Sequence, residues 1–202
     1  MLSAVSLFRR SIDDARGLSG LYDYLTTTIT TPLSFDDLLR SQIVYSVSAF
    51  DKLMHDVIRL GMVASFTGTR LATPKFKAEL ISIEFHGELL SATFPPREYL
   101  FEREIVRKLS IQTFQDPIKI ADGLSYIWSE PNKWDKIGLK MGDDARQIKE
   151  RLKLIVTQRN AIVHESDINP LSGVKNLISR AVVNESTDFL ELCGCTIVEL
   201  IK

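Results

Sequence analysis

Residues 158–165 read QRNAIVHE and place three chemically capable side chains close together: Arg159, Asn160 and His164. Histidine titrates near neutral pH, so His164 could take or give a proton during a reaction. Arginine keeps its charge and holds a fixed fork of donors that fits a phosphate. Asn160 could orient a phosphate oxygen or the histidine. Such a set could act on a phosphodiester without a metal ion.

The same residues have a structural interpretation. Arg159 could lie on a solvated helix face, with Asn160 and His164 capping the helix C-terminus. A protonated His164 would then interact favourably with the helix dipole. In both interpretations Glu165 and Asp167 form a solvated helix exit.

The spacing limits how these residues could cooperate. At about 100° per residue, Arg159 and His164 point roughly 140° apart on a regular helix, whereas Asn160 and His164 share a face. Either the helix loosens near its end, or Arg159 and His164 serve a site built from two chains.

Amphipathic patterns predict the helices that carry these residues. The most regular one begins at residues 34–37 and ends near Gly68, with Ser or Asp as its N-cap. Another begins at Asp143-Asp144 and runs through the QRNAIVHE stretch, with an apolar stripe that includes Val163. The last runs from Val174 to Ile201. Its apolar positions are Leu177, Ile178, Ala181, Val182, Phe189, Leu190, Leu192, Ile197 and Leu200.

The remaining segments are shorter or less regular. Helices are predicted over 6–28, 97–114 and 117–128, the last with Asp116 as N-cap and Pro117 at the first helical position. Residues 129–138 favour a loop or a single helical turn. The stretch 74–90 fits either a short helix or a strand. We therefore predict a single all-α helical bundle over 1–202, with one irregular inserted segment near 68–96.

Composition excludes several classes of protein. The chain has 202 residues, a formal net charge of −1 and only two cysteines, Cys193 and Cys195. No overall basic field attracts nucleic acid, so an RNA-binding function requires a local basic patch. No apolar run is long enough for a membrane span. The two cysteines are interpreted as buried thiols in a reducing compartment. The expected location is the cytoplasm.

Few other residues are candidates for a catalytic or ligand-binding role. The chain has no zinc-protease histidine spacing, no phosphate-binding glycine loop and no GxSxG turn, so we expect no metal and no cofactor. His86 is interpreted as structural or exposed. Trp128 and Trp134 could stack on a base, but burial against a loop is favoured. Asp51 and His55 share a helix face. Asp51 is a candidate for orienting Arg159 or His164, whereas His55 is interpreted as its ordinary surface partner.

Two stretches resemble the HEPN superfamily of helical domains. Arg159, Asn160 and His164 fit its Arg-x4-His motif, and Ser46–Arg59 (SVSAFDKLMHDVIR) is similar to the long early helix of the RiboL-PSP type. The similarity extends over about residues 35–200.

The resemblance implies a metal-independent endoribonuclease that leaves 2′,3′-cyclic phosphate ends. It implies a homodimer in which two motifs meet across a twofold axis, which would create a local basic cluster. It also implies prokaryotic defence or a toxin–antitoxin response, with RNA as substrate and a cognate antitoxin or defence effector as partner. The alternatives are a non-catalytic module that binds nucleotide or RNA or mediates dimerisation, and a purely structural helical adaptor.

Overall fold

The chain folds into nine α-helices and no β-strand, which confirms the predicted all-α class. The computed structural model describes every residue from 1 to 202. The helices are Leu2–Thr28 (α1), Asp36–Phe66 (α2), Pro74–Lys77 (α3), Ile83–Ser91 (α4), Arg97–Leu109 (α5), Pro117–Leu124 (α6), Lys133–Met141 (α7), Ala145–Glu165 (α8) and Arg180–Leu200 (α9).

Helix α2 is the central element of the bundle. Its 31 residues span about 46 Å, and α1, α5, α8 and α9 pack along it. The apolar residues that recur every three or four positions along α2 all lie in the core, as predicted: Leu39, Ile43, Val47, Phe50, Met54, Val57, Ile58 and Met62. One cluster of buried apolar side chains includes residues from every helix except α3. The assignment of 1–202 to a single domain remains a prediction.

Capping residues explain where several helices start. The Asp116 carboxylate accepts the N–H groups of Ile118 and Lys119, and Pro117 follows it, as predicted. Asp144 caps α8 in the same way. The prediction was wrong for α2, where Phe35 is the N-cap and no side chain caps the helix. The acidic first turn of α2 still complements the helix dipole.

The irregular segment near 68–96 contains the short helices α3 and α4. Thr73 and Ser82 cap them through their hydroxyl groups. Phe85 packs into the core, whereas Ile83 and Leu90 are exposed on the outer side of α4. Of the two alternatives for 74–90, the segment from Ser82 onward is therefore helical, because the Ser82 cap fixes the first turn.

Several helix boundaries differ from the sequence prediction. Helix α5 ends at Leu109 rather than 114, and α6 ends at Leu124 rather than 128. Residues 133–141 form a nine-residue helix, longer than the loop or single helical turn predicted over 129–138. Trp134 anchors this helix, because its ring is buried and its Nε1–H donates to the Pro117 carbonyl at 2.9 Å. The interpretation of Trp134 as a buried anchor is consistent with these contacts.

The last helix begins at Arg180, so the predicted start at Val174 was wrong. Residues 167–176 double back instead, with Ile168 bridging to Lys175 and the Asn169 N–H donating to the Val174 carbonyl at 2.8 Å. Ser179 then caps α9. Leu177 is fully exposed, so its apolar side chain does not belong to a buried stripe.

Candidate functional site

Helix α8 turns one row of residues into the core, and Arg159 continues that row. Ile148, Leu152 and Ile155 are buried at spacings of four and three residues. Arg159 lies four positions further on and is half-buried. Its Nε–H is buried and has no hydrogen-bond partner. An unpaired buried donor costs about 1–3 kcal/mol, so a group that could pair with this guanidinium would be stabilised there.

Asn160 and His164 lie on the opposite, solvent-facing side of α8, and both are exposed. The Arg159 Nη1–H donates to the Asn160 side-chain oxygen at 2.9 Å. His164 makes no side-chain hydrogen bond. The end of the helix is capped by backbone groups, since the Asp167 N–H donates to the Ala161 carbonyl at 2.9 Å. Neither Asn160 nor His164 caps the helix, and Arg159 does not lie on a solvated face.

Helix α8 remains helical through Glu165, where a left-handed Ser166 (φ 54°) ends it. Of the two alternatives, a loosened helix end between Arg159 and His164 is therefore not what the structure shows. Within one chain the two side chains point roughly 140° apart. The structure brings Arg159 and Asn160 together, but no hydrogen bond joins either of them to His164.

Asp51 contacts a different part of the molecule. Its Oδ1 accepts the backbone N–H of Phe114 at 2.5 Å, and its Oδ2 lies 3.7 Å from His55 Nε2. It makes no hydrogen bond to Arg159 or His164, so no contact within one chain supports the predicted orienting role. His55 is more than a surface partner, because its half-buried ring packs edge-on against Phe114 with centroids 4.7 Å apart.

The segment that Asp51 holds borders two cavities. One, of about 620 Å³, includes Asp51 and His55 in its lining. The other, of about 450 Å³, includes Asn160. Thr113, next to Phe114, lines both cavities. Asp51 therefore supports the wall of the Asn160 cavity from a distance, through the backbone of Phe114.

The chain beyond His164 is fixed by a buried ion pair. Asp167 and Arg40 are both buried, and Arg40 Nε donates to Asp167 Oδ2 at 2.8 Å. The Asn176 side-chain amide donates to Asp167 Oδ1 at 2.9 Å, and Arg40 Nη2 donates to the Asn176 carbonyl at 2.6 Å. The prediction of a solvated exit was wrong for Asp167. A buried charge requires such partners. Arg40 lies 127 positions from Asp167, and Asn176 lies nine positions from it.

An exposed ion pair extends this network outward. Lys175 Nζ lies 2.6 and 2.7 Å from the two carboxylate oxygens of Asp37. The hydrogen bond from Lys175 lowers the pKa of Asp37 below its usual value. Together the two pairs attach the chain that follows α8 to the first turn of α2.

Sequence reasoning did not identify the other residues on the outer face of α8. Lys149, Lys153 and Thr157 precede Asn160 and His164 at successive spacings of four, four, three and four residues. These spacings place all five on one face of a helix. The signal was present in the sequence, because a polar row is as periodic as an apolar one.

The fold is an all-α bundle in which helices pack around one long central helix. The chain belongs to the RiboL-PSP-HEPN family, whose model matches residues 9–202. The match begins earlier than the resemblance noted above and includes most of α1. No curated protein and no solved structure matches the chain.

Family membership suggests a ribonuclease or a nucleotide-binding module. HEPN domains often bind RNA and dimerise. None of the nine helices combines the length and apolar character that crossing a bilayer requires.

Proposed function

We propose that the protein is a metal-independent endoribonuclease that acts as a homodimer in the cytoplasm. The observation that carries this proposal is the cluster at the end of α8 in a HEPN chain. His164 is exposed and makes no side-chain hydrogen bond, and the exposed Asn160 bonds only to Arg159. The Nε–H of Arg159 is buried and unpaired, which is uncommon for a residue that only stabilises a fold.

In the proposed reaction the ribose 2′-oxygen attacks the adjacent phosphorus and the 5′-oxygen leaves. The products are a 2′,3′-cyclic phosphate and a 5′-hydroxyl end. His164 takes the proton from the 2′-OH or donates one to the leaving oxygen. Arg159 neutralises the charge that develops on the phosphorane, and Asn160 orients a phosphate oxygen.

A homodimer resolves the geometry of α8. One chain offers a single histidine at this site, although the reaction requires both a base and an acid. It also directs Arg159 away from His164. A twofold interface at the end of α8 brings two copies of each residue to one phosphate. Asp51 contributes indirectly as a positioning residue, through the Phe114 segment that borders the Asn160 cavity.

The second candidate function is a non-catalytic module that binds RNA or a nucleotide. The absence of any hydrogen bond to the His164 ring favours it, because catalytic histidines are commonly oriented by a second group. By family, the setting we propose is prokaryotic defence or a toxin–antitoxin response, with an antitoxin or a defence effector as partner.

Incubation of the purified protein with total RNA in EDTA tests the proposal. The wild type should cleave and leave 2′,3′-cyclic phosphate ends, and His164→Ala should lose about 10²–10⁴-fold in rate. Arg159→Lys should also be impaired, because lysine keeps the charge but loses the fork. His86→Ala is the matched control, since His86 is also exposed but lies on α4.

Equal cleavage by wild type and His164→Ala would refute the catalytic role. No cleavage by a folded wild-type dimer that still binds RNA would favour the binding module. Sedimentation velocity should give twice the mass of one chain, and a monomer would contradict the two-chain site.

A further inference from the structure

We propose that the outer face of α8 is a binding track for single-stranded RNA, in which Lys149 and Lys153 hold backbone phosphates. Thr157 continues this track toward Asn160 and His164. The inference rests on the proposed function in one respect, namely that RNA is the substrate. It adds the residues that hold the RNA beside the reacting phosphate.

Helix geometry places these side chains in one line. Measured from Lys149, the positions of Lys153, Thr157, Asn160 and His164 fall within an arc of about 80° at 100° per residue. The centre of the buried row formed by Ile148, Leu152 and Ile155 lies roughly 130° away from the middle of that arc. From Lys149 to His164 the track is about 22 Å long, which is enough to contact several nucleotides.

The two lysines are free to bind an anion, because neither makes an ion pair or a side-chain hydrogen bond within the chain. Other cations in the region are engaged. Arg146 lies 3.6 Å from Glu150, and Arg151 packs over the Phe189 ring and donates to the Glu185 carbonyl. The chain as a whole carries a net charge of −1. Free lysines in a row therefore provide the local basic patch that RNA binding requires.

A cavity lies alongside this track. It has a volume of about 450 Å³ and is lined by Thr113, Gln115, Asp116, Lys153, Val156, Thr157 and Asn160. Its size is within the range of ligand sites. The hydroxyl and amide groups of Thr113, Gln115 and Thr157 can hydrogen-bond a base edge or a ribose hydroxyl, which are the groups that proteins read in single-stranded RNA.

One carboxylate in the cavity opposes a phosphate. Asp116 Oδ1 accepts two backbone N–H groups at the start of α6, at 2.7 and 3.3 Å. These donors and the positive end of the helix dipole compensate part of its charge. The phosphates are therefore expected on the Lys149–Lys153 side, and a base or ribose on the Asp116 side.

Fluorescence anisotropy with a short labelled single-stranded RNA tests the track. The full-length His164→Ala protein is used so that the RNA stays intact. Adding Lys149→Gln and Lys153→Gln should weaken binding about tenfold or more. In a KCl series the slope of log affinity against log salt should become shallower by about 1.4, since each phosphate contact on a single strand contributes about 0.7.

The matched control is Lys77→Gln with Lys136→Gln in the same background. These lysines are exposed and unpaired, as Lys153 is, whereas Lys149 is half-buried and unpaired; they lie on α3 and α7. The control changes the net charge by the same amount as the track variant. Because its lysines lie outside the track, it should alter RNA binding and the salt slope little. Thermal melting of both double variants checks that the fold is retained. Equal losses in both double variants, or no RNA binding by any of them, would overturn the track.

The track and the ribonuclease proposal can fail separately. RNA binding that depends on Lys149 and Lys153, without cleavage by the wild type, would support the binding track and refute the ribonuclease proposal. Cleavage by the wild type, with RNA binding unaffected by either lysine substitution, would support the ribonuclease proposal and refute the track.

Discussion

Two groups of polar residues lie at the end of α8 and differ in burial and in hydrogen bonding. Asn160 and His164 are exposed, and His164 has no hydrogen-bond partner. Asp167, three residues after His164, is buried and bonded to Arg40 and Asn176. The two groups have similar polarity and are close in sequence, so polarity alone does not distinguish them.

The difference separates residues that position the site from residues available to a ligand. A buried charge is tolerated only when its partners are in place, so the Asp167 network fixes one conformation of the chain after α8. An exposed polar group without partners keeps its bonding capacity for another molecule. The network therefore holds the helix end that presents His164.

The largest expected effect comes from breaking the buried pair. Asp167→Ala removes the carboxylate bonded to the buried Arg40 Nε and leaves that guanidinium only the exposed Asp37, 3.3 Å from Nη1. It should lower the free energy of unfolding by up to about 3–5 kcal/mol. Urea denaturation at neutral pH measures this loss.

Two controls accompany this prediction. Lys175→Ala removes an exposed pair from the same network, and we expect it to cost at most about 1 kcal/mol. Replacing both partners, as Arg40→Met with Asp167→Leu, should cost less than Asp167→Ala alone, because no unpaired charge remains. If Asp167→Ala and Lys175→Ala cost the same, the contrast between buried and exposed groups at this helix end is wrong.

Asp51 is intermediate between the two groups, since it is half-buried and bonded to a backbone N–H. Asp51→Ala leaves the Phe114 N–H without its acceptor and should cost about 1–3 kcal/mol in unfolding free energy. Asp51→Asn retains an acceptor oxygen and should cost less. A direct catalytic role would instead appear as lost cleavage in Asp51→Asn with no change in stability.

Periodicity was sufficient to predict the helices that carry the site. The α2 stripe from Leu39 to Met62 is buried at every predicted position, because a long amphipathic helix needs only local spacing to be recognised. Helix starts could also be predicted from local sequence where a side chain caps them, as at Asp116 and Asp144.

Long-range partners could not be predicted in this way. Asp167 lies 127 positions from Arg40, and nothing in its neighbourhood indicates that contact. The same limit applies to Asp51, whose partner Phe114 lies in a segment predicted as helix. The Arg159, Asn160 and His164 motif was visible in the sequence, but the half-buried position of Arg159 depends on packing.

A smaller effect is expected at the end of α2 opposite to Arg40. There Glu79 accepts hydrogen bonds from Lys108 and Tyr126. Burial alone would raise the pKa of Glu79, but hydrogen bonds from Lys108 and Tyr126 lower it overall. A lowered pKa in the folded state gives stability that is present above the unfolded value and is lost as pH falls below it. The loss therefore begins below about pH 4.5.

Thermal melting of wild type and Glu79→Gln between neutral and acidic pH measures this contribution. The variant should be less stable than wild type by about 1 kcal/mol at neutral pH. The difference should shrink as the pH falls below the pKa of a free glutamate carboxyl. A difference that stays constant over the whole range would show that the carboxylate charge does not stabilise this cluster.

The smallest effect is expected where the functional proposal is strongest. His164→Ala and Asn160→Ala should each change the free energy of unfolding by no more than about 0.5 kcal/mol, because neither side chain caps the helix or enters the core. Asn160→Ala removes the exposed hydrogen bond from Arg159, and the higher helix propensity of alanine offsets that loss. Urea denaturation of both variants beside Asp167→Ala gives the comparison in one experiment. A loss above about 1 kcal/mol for His164→Ala would mean that its interaction with the helix C-terminus stabilises the fold, and the histidine would then have a structural reason to be there. A neutral result leaves its position without any contribution to folding, as expected for a side chain that is retained for a bound ligand.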